Sequence, residues 1–308
     1  MSRENQPVSP VSGPPPVNHP AFEQRGGAVA TVPDVDPDRP PWGIPSAVFV
    51  WLISMAFLLF IPVVFIVVYA LSRNVKYANA REFLQGLVEL STTDPNGIFV
   101  QIFSVLPAHL LTFGVVWAVV TRFGRRPFWR SVGWGWGKRF GFWKSVGLAV
   151  GLLGVGLVIT YLIGGEPTDI DRLLKSSNAT RWMLAIVAAG TAPLIEELVY
   201  RGVIYSAFHK TVGMFWAVMI VSFLFAGVHV LQYYKNLGVV LVICILSVSL
   251  TLARALTGKL LPGVVMHFVF NGLQSLYIVL EPYLPHEGPG QQQQAVVLMI
   301  GRTLRSIF

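Results

Sequence analysis

Glu196 and Glu197 are adjacent carboxylates inside an apolar stretch that runs from Trp182 to about Tyr205. The chain has 15 acidic residues, and only these two lie within a long hydrophobic run. A carboxylate at membrane depth costs roughly 2.5–3.5 kcal/mol on insertion scales, so such a pair persists where something requires it. Arg201 follows one helical turn later, His229 ends the next apolar run, and His267 and Asn271 share a third. A carboxylate and an imidazole can take a proton from water. Histidine and asparagine N–H groups can hold a developing oxyanion. Placed together in a bilayer, these residue types outline a hydrolase.

Helical spacing divides the roles. Glu197 and Arg201 are four apart, share a face and can pair. Glu196 points about 100° away and is free to meet another partner or a water. Pro193 cannot donate to the helix ladder, which leaves a carbonyl unpaired and offers one way to admit water at that depth. For Glu197 and Arg201 a purely structural ion pair is nearly as good a reading as a functional one; for Glu196 it is much weaker. A lone histidine such as His229 on an apolar helix is more often a satisfied core residue. His267 and Asn271 lie on one face, and either hydrogen-bond across a bundle or face the same cavity as Glu196. His109 has no polar partner at helical spacing and reads as structural.

The elements that must position these groups are membrane helices. Hydrophobic residues make up 54% of the chain and charged residues 12%, against about 25% charged in soluble domains. A spanning helix needs about 20 apolar residues, and suitable runs fall at 46–71, 98–121, 145–163, 182–206, 213–233, 237–257 and 261–280. The expected fold is therefore all-α: a polytopic transmembrane bundle of about seven spans. Residues 1–45, rich in Pro and Gly, read as a disordered cytoplasmic tail without a signal peptide. Residues 46–163 supply three N-terminal spans, 164–280 a core of four spans, and 281–308 a tail whose last segment reads as a short interfacial helix. Gly147, Gly151, Gly154 and Gly156 in the third span read as a stripe for close helix packing. The single cysteine, Cys244, excludes an intrachain disulfide and a thiolate metal site.

Orientation follows positive charge in short loops. Loop 122–144 carries Arg122, Arg125, Arg126, Arg130, Lys138, Arg139 and Lys144 with no acid, and should be cytoplasmic. Loop 164–181 is mixed and should face outward, so the N-terminus is expected in the cytoplasm of a multi-pass plasma-membrane protein. The same basic loop holds Trp129, Trp134, Trp136 and Trp143. Beside a span, that mix is interfacial anchoring rather than a nucleic-acid surface. With these boundaries Glu196, His229 and His267 fall at unequal depths, His229 furthest from the cytoplasmic side.

The motifs EExxxR (Glu196 to Arg201), FxxxH (Phe225 to His229) and HxxxN (His267 to Asn271) occur in this order, each on its own hydrophobic run. Over about residues 180–275 the chain resembles the CPBP family, the type II CAAX prenyl protease and bacteriocin-processing group of integral membrane proteases. The resemblance implies peptide-bond hydrolysis in a membrane-associated protein or lipidated peptide. Carried over by position, Glu196 is the general base and His229 helps polarise the water. His267 and Asn271 stabilise the oxyanion, and Glu197 and Arg201 orient the site. Members are described either as metalloproteases or as glutamate-dependent. A zinc ion could take Glu196, His229 and His267 as ligands, but there is no HExxH helix, and one glutamate serves poorly as both ligand and base. Two other readings use the same residues: a non-catalytic immunity factor or scaffold that keeps the polar cluster for packing, and a proton-coupled transporter that uses Glu196 and His229 as a relay.

Overall fold

The computed structural model describes residues 35–73, 77–166, 168, 173–174 and 176–284. The expected disordered tail over 1–34 and the interfacial segment near the C-terminus lie outside the described residues. The described residues form helices and no strand. These are α1 (Ile44–Ser72), α2 (Ala80–Thr92), α3 (Pro95–Phe103), α4 (Val105–Thr121), the short α5 (Phe128–Ser131), α6 (Phe142–Ile163) and α7 (Asn178–Ile186). A π-helical stretch, Val187–Thr191, leads into α8 (Ala192–Glu197). A second, Leu198–Ile204, leads into α9 (Tyr205–Tyr233), followed by α10 (Leu237–Thr257) and α11 (Leu261–Leu280).

Among the described residues six helices are long and apolar enough to cross a membrane, including one continuous stretch of 56 residues from Asn178 to Tyr233. At 1.5 Å per residue it would reach about 84 Å if straight, nearly three times the roughly 30 Å of a bilayer core. It is not straight. Gly213 sits at φ 82°, ψ 172°, a conformation that breaks the helix and that glycine alone adopts readily. The Tyr200 and Phe225 rings touch with centroids 5.1 Å apart, so the chain after Gly213 returns antiparallel to the chain before it. Two of the expected spans are therefore one hairpin, and the six helices supply about seven crossings.

α2 is the helix that hydropathy misses. It is amphipathic, with no buried residue. Asn79 caps it by accepting from the Glu82 amide at 3.0 Å, while the Glu82 carboxylate accepts from the Ala78 amide at 3.0 Å. Asn-x-x-Glu was its signal. The glycine stripe of α6 serves packing at one position: a Cβ on Gly156 would come within 3.1 Å of Val242, whereas Gly147, Gly151 and Gly154 have open space around them.

One face of the bundle gathers the leader, the basic loop and the α10–α11 turn. Leu260 N–H donates to Gly133 O at 2.9 Å, and Gly133 lies against Pro37. The leader was expected to be solvated up to residue 45, but its described part is fastened to this face. Trp42 is buried and donates from its indole to Val203 O at 3.1 Å. Asp38 pairs with the buried Arg254 at 2.7 Å, and Lys210 donates to Pro40 O at 3.0 Å. A desolvated arginine needs a carboxylate, and one indole buries enough apolar area to hold a short strap. On the opposite face, Asn236 donates to Glu166 O at 3.2 Å and Arg181 pairs with Glu281 at 3.5 Å.

Candidate active site

Gly213 lies almost midway in sequence between Glu196 and His229, so the hairpin brings the two level. The unequal depths expected from span boundaries do not occur. Both line one cavity of about 490 Å³ together with His267, Asn271 and Phe225.

The carboxylates point apart, as neighbours on a helix must. Glu197 is fully buried, and Arg201 donates to its Oε1 at 2.8 Å. Arg201, also fully buried, donates further to Ser247 O at 3.0 Å and Thr251 Oγ1 at 3.2 Å on α10. Its guanidinium covers the Phe225 ring at 4.6 Å. Glu196 faces the cavity, its side chain 26% exposed. His267 bridges the pair: Nδ1 lies 3.0 Å from Glu197 Oε1 and Nε2 3.6 Å from Glu196 Oε2. A carboxylate held by arginine can only accept, so Nδ1–H is the donor and Nε2 faces Glu196 and the cavity.

His229 Nδ1 lies 2.8 Å from the carbonyl of Phe225. A carbonyl also only accepts, so Nδ1 carries the proton and Nε2 keeps its lone pair in the neutral ring. Phe225, named at sequence level only as part of a spacing, is the hub of the site. Its ring packs on His229 at 4.6 Å and edge-on to His267 at 5.8 Å, so one side chain sets the orientation of both histidines.

Asn271 solves a backbone problem. In the π-helical stretch Ala192 N–H bonds to Val187 O, five residues back. Continued in that register, Ala188 O would pair with residue 193, but Pro193 has no N–H. The Asn271 amide donates to Ala188 O instead, at 3.0 Å. The second amide N–H of Asn271 is not used by that bond. His109, buried on α4, is satisfied by Thr191 Oγ1 at 2.8 Å.

The sequence reading also missed Gly263. A Cβ there would lie 2.8 Å from Glu197 Oε2, so α11 reaches the buried carboxylate only because this residue lacks a side chain. Ser247 and Thr251, which receive Arg201, gave no signal beyond being small polar residues in a span.

Among the described residues no group of three His, Cys, Asp or Glu is disposed to hold a metal ion. Of the residues considered above as zinc ligands, Glu196 Oε2 and His267 Nε2 lie 3.6 Å apart, and His229 lines the same cavity.

The apolar helices are those of a membrane protein, and a carboxylate–histidine cluster is buried among them. Residues 178–273 match the family described as Type II CAAX prenyl endopeptidase Rce1-like. That segment, about a third of the chain, is similar to the CPBP/CAAX protease family, in agreement with the resemblance carried by its three motifs. Comparison with curated proteins and with solved structures gives no match.

Proposed function

We propose that the protein is an intramembrane endopeptidase that cleaves a membrane-associated protein or lipidated peptide with a water activated by Glu196. The observation that carries this reading is the shared cavity. A partly exposed carboxylate, a histidine with a free acceptor nitrogen and a histidine facing inward surround one space.

In this mechanism water sits between Glu196 and His229 Nε2. Glu196 takes the proton as hydroxide attacks the scissile carbonyl, and His229 orients the water by accepting its other hydrogen. The negative charge on the tetrahedral intermediate is met by the second N–H of Asn271 and by His267, which takes a proton from solvent at Nε2 as substrate binds, donates from it through the step and releases it to solvent with the products. Oxyanion donors of this kind are worth about 3 kcal/mol each. Glu197 and Arg201 touch no reacting atom. They hold His267 Nδ1 and thereby aim its other nitrogen. Glu196 then returns its proton to the leaving amine. No step is routed through a metal.

We place the multi-pass chain in the plasma membrane, and the charge of loop 122–144 supports a cytoplasmic N-terminus. Purified in detergent and offered a quenched peptide library, the wild type should cleave. His229→Ala should lower kcat by about 10²–10⁴, the usual scale of proton-transfer assistance. A His229→Ala protein with wild-type kcat would remove His229 from the mechanism. Absence of cleavage with every membrane-anchored peptide tried would sink the peptidase reading.

A further inference from the structure

The cavity is one-sided. α6 runs away from the basic loop, and only its far half contributes, from Leu153 to Thr160 and on through Gly164. α10 runs back toward that face and contributes only its first half, from Val239 to Leu246. α11 contributes from His267 outward to Ile278, and the hairpin contributes Leu184, Ala188 and Glu196 from one arm and Phe225, His229 and Tyr233 from the other. Every lining residue therefore lies at the level of Glu196 or beyond it, toward Gly164, Gly165 and Thr168 and the turn at 233–236. None comes from the half that carries the basic loop.

That other half is closed. Below Glu196, Glu197 and Arg201 are fully buried against Ser247 and Thr251. Beneath them Arg254 is fully buried and paired with Asp38 of the leader. Trp42 closes the same end. Around this plug lies loop 122–144, with its Arg and Lys and no acid. On the positive-inside rule it is the cytoplasmic surface.

Resting on the peptidase reading above, we infer that the site takes its substrate from the non-cytoplasmic half of the membrane: a peptide segment of an exported, membrane-anchored protein, with its scissile bond on the outer side of the bilayer. A segment presented from the cytoplasm would have to pass a layer of buried ion pairs. One presented from outside meets a cavity rimmed by Gln274 and Asn236 with apolar walls below.

Cysteine labelling tests the side without requiring catalysis. In a Cys244→Ser background, Gln274→Cys marks the cavity mouth and Lys138→Cys the basic loop. A membrane-impermeant maleimide applied to intact cells should label Gln274→Cys, and should label Lys138→Cys only after permeabilisation. Labelling of Gln274→Cys only after permeabilisation, or not at all, would overturn the inference, as would labelling of Lys138→Cys in intact cells. Adding Glu196→Gln should leave the pattern unchanged. An inactive protein with this pattern therefore counts against the peptidase reading alone, and a reversed pattern in an active one against the side alone.

Discussion

Replacing Arg201 with methionine separates the charge that holds the site from the shape that fills it. Methionine keeps most of the length and the apolar stem but removes the donors to Glu197, Ser247 and Thr251 and the cation over Phe225. If these contacts acted as ordinary interhelical hydrogen bonds, each would be worth about 0.6 kcal/mol in a bilayer protein, and about 2 kcal/mol would be lost in all. Stranding a fully buried carboxylate is costlier: breaking a buried ion pair from one side typically costs about 3–5 kcal/mol. Glu197 keeps only His267 as partner, so the expected loss lies in the upper range. Unfolding equilibria in mixed micelles read this directly. The double variant Glu197→Gln/Arg201→Met, with no stranded charge, should recover part of the stability lost in the single. The kinetic signature should be a fall in kcat larger than any rise in KM, because His267 loses its anchor while the cavity walls remain. If Arg201→Met unfolds within about 0.5 kcal/mol of wild type, the effect of an ordinary surface change, the buried pair does not hold this site.

Other perturbations test neighbouring contacts. Gly263→Ala places a methyl 2.8 Å from Glu197 Oε2, so kcat should fall while the protein stays folded by circular dichroism; unchanged kcat would mean that α11 can retreat without disturbing His267. Gly213→Ala meets open space, so its cost should be conformational alone, about 1–3 kcal/mol by thermal unfolding. Trp42→Ala removes a buried anchor and its bond to Val203; it should cost about 3–5 kcal/mol and expose residues 35–43 to limited proteolysis. With a zinc chelator present, peptide cleavage should persist; loss reversed by added zinc would put a metal into the mechanism.

The chemistry-bearing residues were legible because a bilayer makes polar residues conspicuous. Glu196, Glu197 and Arg201 stand out from an apolar run, and the difference of one residue already assigned one carboxylate to Arg201 and left the other for the cavity. The approximate number of spans was legible for the same reason, down to the paired runs on either side of Gly213. What hydropathy could not carry was folding back. Equal depth for Glu196 and His229 follows from a hinge nearly midway between them, and a span boundary drawn by composition does not locate a hinge. The role of Asn271 was half legible: Pro193 announced an orphan carbonyl, but not that Ala188 would be the orphan or a distant amide its donor. The docked leader was missed because its partners are far apart in sequence. A trace did exist in Arg254, a charge in an apolar run with no carboxylate on its own span, which pointed to an acid from elsewhere in the chain.

The central claim is that Glu196 activates the attacking water. The most direct test compares wild type with Glu196→Gln, matched in thermal stability in the same detergent, for cleavage of a quenched peptide library. The change keeps the shape of the side chain and removes its basicity, so cleavage should disappear while the melting curve stays in place. A Glu196→Gln protein that cleaves like wild type would contradict the account.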